Sequence, residues 1–166
     1  LEDKTQGITD KLWVGTFHGT GVRILKAHGS AIGIERNFSI YDSGDSLDLV
    51  KGIIARESLQ MLRSPKSVRD RVSRWKNEFV TPDEAADNAT DNIDKRMVMV
   101  YREYEKGLRR ANALDFDDLI LRCVELFSNS DEVKNHYARR FRYILVDEFQ
   151  DTNPMQMALI DALASY

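Results

Sequence analysis

Hydrophobic residues in the middle of the chain recur every three or four positions, the spacing that gives a helix one apolar face. After Asp42, this stripe consists of Leu47, Val50, Ile54, Ser58 and Met61. After Pro65, which breaks a helix, a second stripe consists of Val68, Val72, Trp75 and Phe79. The pattern predicts two consecutive amphipathic helices that are separated at the proline.

Capping sequences predict where the later helices begin. The string Thr81-Pro82-Asp83-Glu84 combines a cap residue, a proline at the first helical position and a glutamate three residues past the cap. The acidic stretch at residues 83–94 is expected to be a solvated, mobile connector. Two further apolar faces follow, one made of Ile93, Met97, Val100 or Tyr101, Tyr104 and Leu108, the other, after a cap at Asp115, of Phe116, Leu119, Ile120, Cys123 and Phe127.

Short runs of bulky apolar residues near the two ends of the chain predict strands, at residues 11–16 and 141–146. A shorter extended piece is expected at residues 38–41. Helices are predicted after the two longer runs, from residue 17 or 18 to 27 and from 154 to 164. Two strands so far apart in the sequence can share one parallel sheet only if the helical block between them is an insertion. The fold class is therefore predicted as α/β with a large, mainly α-helical insertion.

Composition narrows the class of protein. The chain has 166 residues, 42% of them hydrophobic, and a net charge of −3. No apolar run approaches the roughly 18 to 20 residues that a membrane helix needs, and no hydrophobic signal stretch opens the sequence. The single cysteine, Cys123, excludes a disulfide framework and a thiolate metal cage. A cytoplasmic protein is expected, and the start at Leu1 rather than Met suggests an excised fragment.

Two adjacent carboxylates, Asp147 and Glu148, follow directly after the predicted strand at residues 141–146. Ligands of open α/β sheets bind outside the carboxyl ends of strands, and a nucleotide-binding acid pair of the Walker B type belongs there. Asp147 can hold a Mg²⁺ that bridges nucleotide phosphates, and Glu148 can orient and deprotonate the attacking water. A plain strand that leads into a helix capped by Asn153 explains the capping residues, but it does not explain two consecutive acids.

Three segments resemble motifs of superfamily 1 DNA helicases of the UvrD/Rep/PcrA type. They are WVGTFHGTGVR at residues 13–23, ALDFDDL at 113–119 and ILVDEFQDTN at 144–153. The resemblance implies that residues 1–17 and 142–166 belong to a RecA-like parallel-sheet P-loop NTPase domain, called 1A. It also implies that residues 18–141 form the helical domain 1B, inserted into 1A. The parent protein would be an ATP-dependent DNA helicase and translocase that acts in DNA repair or replication.

The resemblance assigns the nucleotide site residue by residue. It implies that Asp147 is the Mg²⁺ ligand and that Glu148 is the catalytic base of ATP hydrolysis. Gln150 belongs to the same nucleotide-binding string. Together with Asp151 and Thr152 it matches the family motif, but the sequence does not assign a separate role to each of these three residues. Mg²⁺ and ATP are thus the cofactors expected in the intact parent protein.

The resemblance also implies that Thr16, Phe17 and His18 lie along the track of single-stranded DNA. An aromatic face stacks on any base, while a hydroxyl and an imidazole bond phosphates without reading sequence. Gly19 stands where the family often has serine, which removes one possible hydroxyl contact. An ordinary helix start that packs on the core explains Phe17 and His18 equally well.

A basic segment runs from Arg63 to Lys76, where six basic residues stand against the single acid Asp70. The apolar positions of the same helix form its buried side, which turns much of the charge outward, where it could follow the phosphates of forked duplex DNA. The residues expected to contact DNA are Arg69, Arg71 and Arg74. A merely solvated helix face accounts for the same pattern.

A phosphate-binding P-loop is missing from the sequence. None of the nine glycines belongs to a Gly-x-x-x-x-Gly-Lys-Ser/Thr string. The resemblance places that loop, and a second motor domain, in the remainder of the helicase chain, which would then be a necessary partner. The fragment alone is therefore expected neither to hold ATP tightly nor to unwind DNA.

Two other functions stay open. One is a non-catalytic DNA-binding or partner-docking module, which the helical block would be without its motor. The other is a carboxylate metallohydrolase built on Asp147 and Glu148, for which no further ligands stand at a suitable spacing. Among the acids Asp115, Asp117 and Asp118, a helix cap with exposed neighbours is favoured over a metal site.

Overall fold

The computed structural model describes residues 12–62 and 64–164 of the chain, and α-helices make up most of this part. In chain order the helices are α1 (Phe17–His28), α2 (Ser43–Arg56), α3 (Pro65–Asn77), α4 (Pro82–Asp87), α5 (Asn92–Arg110), α6 (Phe116–Asn129), α7 (Asp131–Arg140) and α8 (Pro154–Leu163). Short 3₁₀ turns cover Gly29–Ile32 and Phe149–Asp151. Within the described ranges, no helix is long and apolar enough to cross a membrane.

Two three-residue strands form a small parallel sheet, so the fold mixes helix and sheet as predicted. β1 (Ser39–Tyr41) lies beside β2 (Ala113–Asp115), with Ile40 opposite Leu114. Parallel strands need a long crossover connection, which helices α2 to α5 supply here. The prediction of an extended piece at residues 38–41 is confirmed. β2 was not predicted, because three residues are too few to show the period of a strand.

The longer strands predicted near the two ends are absent from the described residues. Residues 12–16 and 142–146 pair with no strand there, and Tyr143 and Leu145 are 91% and 98% exposed. A strand is stabilised by hydrogen bonds to a neighbouring strand, and no described segment provides one for either run. Lys11, the first residue of one run, lies outside the described residues. The two runs are still close in space, because the Trp13 and Phe141 rings meet edge-on with their centroids 5.1 Å apart.

Helices α2 to α5 enclose a first hydrophobic core. At its centre, Trp75 of α3 stacks on Tyr101 of α5 with 5.5 Å between ring centroids. The buried residues of this core are Val50, Ile53, Ile54, Leu59, Leu62, Val68, Val72, Trp75, Ala85, Val98, Val100, Tyr101, Tyr104, Leu108 and Ala113. Most of the predicted apolar stripes therefore face this core. Ser58 and Met61 do not, because α2 ends at Arg56. Phe79, which follows the end of α3, and Ile93, in the first turn of α5, are also exposed instead of facing this core.

Helices α1, α6, α7 and α8 enclose a second hydrophobic core. Its buried residues are Ile24, Leu25, Phe38, Leu114, Leu119, Ile120, Cys123, Leu126, Phe127, Val133, Tyr137, Met155, Leu159 and Leu163. A side chain at Gly21 would place its Cβ 2.2 Å from the Leu119 carbonyl oxygen, so glycine allows α1 to approach α6 closely. Burial raises the pKa of the Cys123 thiol to about 12, which keeps this thiol protonated and unreactive at neutral pH.

Side-chain caps fix the starts of several helices, as predicted at Thr81, Asp115 and Asn153 and in addition at Asp42. Asp42, Thr81, Asp115 and Asn153 each accept a hydrogen bond from the backbone N–H three residues later, and the side chain of that later residue bonds back to the backbone N–H of the cap. Such a capping box satisfies N–H groups that have no partner inside the helix. The cap at Asp115 starts α6 at Phe116, and the cap at Asn153 starts α8 directly after the predicted nucleotide-binding string.

Candidate nucleotide and nucleic-acid site

The adjacent acids Asp147 and Glu148 lie in an exposed turn rather than at the end of a paired strand. Asp147 Oδ1 accepts a hydrogen bond from the Glu148 backbone N–H at 2.9 Å, and the Gln150 amide donates to the Glu148 carboxylate. Thr152 Oγ1 donates to the Phe149 carbonyl oxygen at 2.8 Å, which closes the turn. We name residues 147–152 the carboxylate segment. The carboxylate oxygens of Asp147 and Glu148 are open to solvent, and carboxylate oxygens are among the ligands that Mg²⁺ prefers.

The backbone at Glu148 is in the left-handed region, with a φ of 48°. A residue with a Cβ in this region carries strain of about 1 to 3 kcal/mol, and such residues cluster at functional sites. The turn also keeps Asp147 and Glu148 from running on as a regular strand. The two carboxylates therefore have different surroundings, one bonded to the backbone and the other to Gln150, which suits two different tasks.

A groove of about 740 Å³ lies beside the carboxylate segment. Ile144 and Phe149 line it from the segment and the residues before it, and Ile160 lines it from α8. Arg139 and Arg142 line it as well, so the groove combines apolar surface with positive charge. Because arginine binds both carboxylates and phosphates, this lining excludes neither kind of ligand.

The residues of the TFH string gather at the start of α1. Thr16 caps the helix, with its Oγ1 accepting from the Gly19 N–H at 3.0 Å. Phe17 is half-buried against the second core, and His18 meets the ring of Phe116 edge-on at 5.6 Å between centroids. Phe116 is 47% exposed, so its predicted place on the core side of α6 is wrong.

Phe116 lies beside the TFH string on the surface, a position that the sequence did not predict for it. It is the first residue of α6, and the cap at Asp115 sets the rotation of the helix so that Leu119 and Ile120 point inward instead. An apolar residue directly after a cap is a weak signal, because it fits the helical period almost as well as its inward neighbours do. Together, His18 and Phe116 present an accessible aromatic pair.

The three arginines predicted to contact DNA differ in the contacts that their guanidinium groups make within the protein. The Arg69 guanidinium lies 2.6 Å from Asp70 and donates to the Ser43 carbonyl oxygen at 3.2 Å. The Arg71 guanidinium lies over the Trp75 ring at 4.9 Å. Arg74 is exposed and makes no ion pair with the described part of the chain. Arg63 lies outside the described residues.

Lys76, which the sequence grouped with the outward basic residues, is fully buried. Its ammonium lies 2.8 Å from Glu105 Oε1, 2.9 Å from Asp115 Oδ2 and 3.0 Å from Asp118 Oδ2. Tyr104 donates to the same Asp115 oxygen at 2.9 Å. The expectation of a cap with exposed neighbours is therefore wrong for Asp118, which is 1% exposed. A buried charge is tolerated only when paired, and these carboxylates provide the pairing.

Arg122 is the second cation of this cluster. It lies 2.6 Å from Glu105 Oε2, 3.5 Å from Asp118 Oδ1 and 2.9 Å from the half-exposed Glu125. We name Lys76, Glu105, Asp115, Asp118 and Arg122 the charge cluster. Within the described residues, no group of three or more His, Cys, Asp or Glu side chains is arranged to hold a metal ion. An ammonium, rather than a metal, therefore compensates the acids at the start of α6.

Two buried carboxylates compete for Lys76, and their pKa values move in opposite directions. Asp115 also accepts hydrogen bonds from Tyr104 and from the Asp118 N–H, and its pKa is lowered because Lys76 outweighs the cost of burial. Burial raises the pKa of Asp118 to about 7, against the attraction of Lys76 and with the repulsion of Asp115 and Glu105. Asp118 Oδ1 accepts no hydrogen bond from any described residue, which leaves its charge the less compensated.

This difference predicts how pH changes the stability of the chain. Between the ordinary pKa of 3.8 and about 7, folding takes up a proton at Asp118, so this group's contribution to the free energy of unfolding falls as the pH rises. The Asp118→Asn variant cannot titrate there. Its stability relative to the wild type should therefore rise through this window, by at most about 1.4 kcal/mol per pH unit, and level off above it.

Urea denaturation of both proteins across the window checks this prediction. The exposed Asp87→Asn variant is the control, and its difference from the wild type should not show this rise. A difference between Asp118→Asn and the wild type that stays constant from pH 5 to pH 7 would contradict the assignment.

Comparison with known proteins agrees with these motifs. Residues 1–166 match the family described as UvrD/REP helicase N-terminal domain. The ATP-dependent DNA helicase PcrA of Bacillus subtilis (strain 168) is 42% identical over 156 residues, which cover 93% of this chain and 21% of that protein. The PcrA proteins of Staphylococcus aureus (strain Mu50 / ATCC 700699) and Staphylococcus epidermidis (strain ATCC 35984) are 41% and 40% identical over 155 residues, with the same coverage. The chain thus spans about a fifth of the length of these relatives, and it belongs to the UvrD/REP helicase N-terminal domain family.

Proposed function

We propose that this chain supplies the catalytic carboxylates and part of the DNA-facing surface of an ATP-dependent DNA helicase that acts on single-stranded and forked DNA in repair or replication. The observation that carries the proposal is the pair Asp147 and Glu148, accessible to solvent in a turn directly before a capped helix, in a chain of this family. The helicase names of the relatives, which are about five times longer, support the same activity for the whole protein.

The proposed chemistry gives the two acids, Asp147 and Glu148, different tasks. Mg²⁺ and ATP, when bound, supply the phosphoryl group and the cation that offsets its charge. Asp147 holds the metal ion, while Glu148 orients the attacking water and accepts its proton. Gln150 donates to the Glu148 carboxylate and so steers it. The sequence has no Gly-x-x-x-x-Gly-Lys-Ser/Thr string, and the phosphates are therefore held by another part of the whole protein.

The proposed domain division follows the two cores. The sequence placed the limits of domain 1B at residues 17/18 and 141/142. Helices α1, α6 and α7 share their core with α8, however, while α2 to α5 form a core of their own between β1 and β2. This packing supports a 1B insertion that is confined to the residues around the first core, with the second core belonging to the RecA-like domain 1A.

The proposed DNA surface combines the start of α1 with the start of α6 and the exposed side of α3. Thr16 and His18 can bond phosphates, and the accessible ring of Phe116 beside His18 can stack on a base. Phe17, half-buried, supports this surface from the core side. Arg74 adds a positive charge that forms no ion pair with the described residues, while Arg69 and Arg71 would first have to release Asp70 and the Trp75 ring.

A non-catalytic docking module is the second candidate. The apolar part of the groove beside the carboxylate segment favours it, because an exposed apolar surface is typical of protein interfaces. The two candidates differ in whether Glu148 is needed for catalysis.

Replacing Glu148 by Gln tests the catalytic proposal. In the full-length protein that carries this chain, Glu148→Gln should lower the ATPase kcat by about 100-fold or more, because the glutamine cannot accept a proton from water. DNA affinity should stay unchanged. The exposed Glu132→Gln variant on α7 removes the same charge elsewhere and should keep full activity. Normal ATPase activity of Glu148→Gln, measured by phosphate release, would favour the docking module.

Replacing Arg74 by Gln tests the DNA surface. Each lost phosphate contact should reduce the slope of log affinity against log salt by about 0.9 for duplex DNA. Fluorescence anisotropy with labelled forked DNA at several salt concentrations measures this slope. Arg109→Gln, in the last turn of α5, is the control, because it removes the same charge outside the proposed surface. It should leave the slope unchanged. Equal slopes for wild type and Arg74→Gln would remove α3 from the proposed surface.

A further inference from the structure

One side chain, Asn77, connects three parts of the molecule that the proposed function treats separately. Asn77 is the last residue of α3, and its Nδ2 donates to Asp117 Oδ1 at 2.8 Å, in the first turn of α6. Its Oδ1 accepts from Asn153 Nδ2 at 2.9 Å. Asn153 follows the carboxylate segment directly and caps α8. A single amide thus bridges the basic helix, the helix that carries Phe116 and the residue after Thr152.

The orientation of the Asn77 amide is determined by its partners. Nδ2 also donates to the Ser73 carbonyl oxygen at 2.8 Å, so both of its acceptors, a carbonyl and a carboxylate, lack hydrogens to donate. A flipped amide would place its oxygen, which cannot donate, against both of these acceptor oxygens. The remaining Oδ1 is therefore presented to Asn153, and all of these bonds are partly shielded from water.

Asn153 has two separate tasks that different atoms perform. Its Oδ1 accepts from the Gln156 N–H at 2.9 Å, which caps α8, and its Nδ2 reaches across to Asn77. The cap holds the start of α8, while the amide holds the position of this start relative to α3. A substitution that keeps the first task and removes the second is available, because serine caps helices as well as asparagine does.

The three connected parts carry the groups that DNA and nucleotide would contact. Arg74 lies on α3 three residues before Asn77, and Phe116 lies next to Asp117. The carboxylate segment ends at Thr152, next to Asn153. Movement of α3 on contact with DNA would therefore act on the start of α8 through the Asn77–Asn153 hydrogen bond, whereas α6 also packs directly on α8 in the second core.

We infer that Asn77 is a positioning residue, which couples DNA contact at α3 and α6 to the placement of the carboxylate segment through Asp117 and Asn153. This inference rests on the proposed function. Asn77 is not among the residues proposed above to contact nucleotide or DNA. Its loss should leave basal ATP hydrolysis and DNA affinity in place and should remove the increase in hydrolysis that DNA causes.

The test measures ATPase activity of the full-length protein with and without single-stranded DNA. For Asn77→Ala, the ratio of DNA-stimulated to basal kcat should fall at least about fivefold, the low end of typical coupling between sites. Basal kcat and the Kd for DNA should stay within about twofold of the wild-type values, whereas a loss of fold would lower basal kcat and raise Kd. Asn153→Ser, which keeps the cap of α8, should lower the ratio equally.

Two further variants separate coupling from stability. Asn129→Ala, at the last residue of α6, removes an amide that bonds only the carbonyl oxygen of Glu125 in its own helix, and it should keep the wild-type ratio. The double variant Asn77→Ala with Asn153→Ser should lose no more than either single variant, because both remove the same bond.

The outcomes distinguish this inference from the function on which it rests. A wild-type protein whose ATPase responds to DNA, together with an Asn77→Ala variant that responds equally, would overturn the inference alone. Additive losses in the double variant would overturn it as well. A wild-type protein without any ATPase activity would overturn the proposed function and the inference with it.

Discussion

The buried ammonium of Lys76 is the constraint on which the arrangement of this chain depends. An isolated ammonium inside a protein costs several kcal/mol even after relaxation, and it persists only where carboxylates surround it. Here Asp115 and Asp118 come from the start of α6, while Glu105 comes from α5. Because Lys76 itself belongs to α3, the charge pairing holds three elements in one relative position.

The charge cluster lies where the two hydrophobic cores meet. Lys76 and Glu105 belong to helices of the first core, while Asp118 and Arg122 belong to α6 of the second. Asp115 ends β2 and caps α6, so the same carboxylate fixes a strand, a helix start and the ammonium. The positions of Phe116 and Asp117 follow from it, as does that of Asn77, which comes directly after Lys76 in the chain.

The sequence predicts the local parts of this structure well and the long-range parts poorly. The caps predicted at Thr81, Asp115 and Asn153 depend on residues within three positions, so the pattern contains the whole interaction. Lys76 looked like its outward neighbours, because its partners lie 29 to 42 residues away in the chain, at Glu105, Asp115 and Asp118. Nothing in a single sequence pairs them.

The candidate site shows the same division. The motif strings identified the carboxylate segment and the start of α1, because both are contiguous in sequence. The sequence did not identify Phe116 and Asn77 as parts of the site, because their contacts form only when α6 lies beside α1 and α3. The prediction of a strand at residues 141–146 is wrong for a related reason. Its hydrophobic run has the character of a buried strand, but a strand requires neighbours that the described residues do not provide.

The most direct test of the central claim, that the charge cluster joins two cores into one unit, uses the two tryptophans of the chain. Trp75 lies in the first core, and Trp13 packs at the edge of the second. Variants that retain one tryptophan each, Trp13→Phe and Trp75→Phe, report the unfolding of one core by fluorescence in urea. If the charge cluster joins the cores, both variants should show coincident transitions, and the transitions should separate once Lys76→Met is added. A single shared transition in the Lys76→Met background would contradict it.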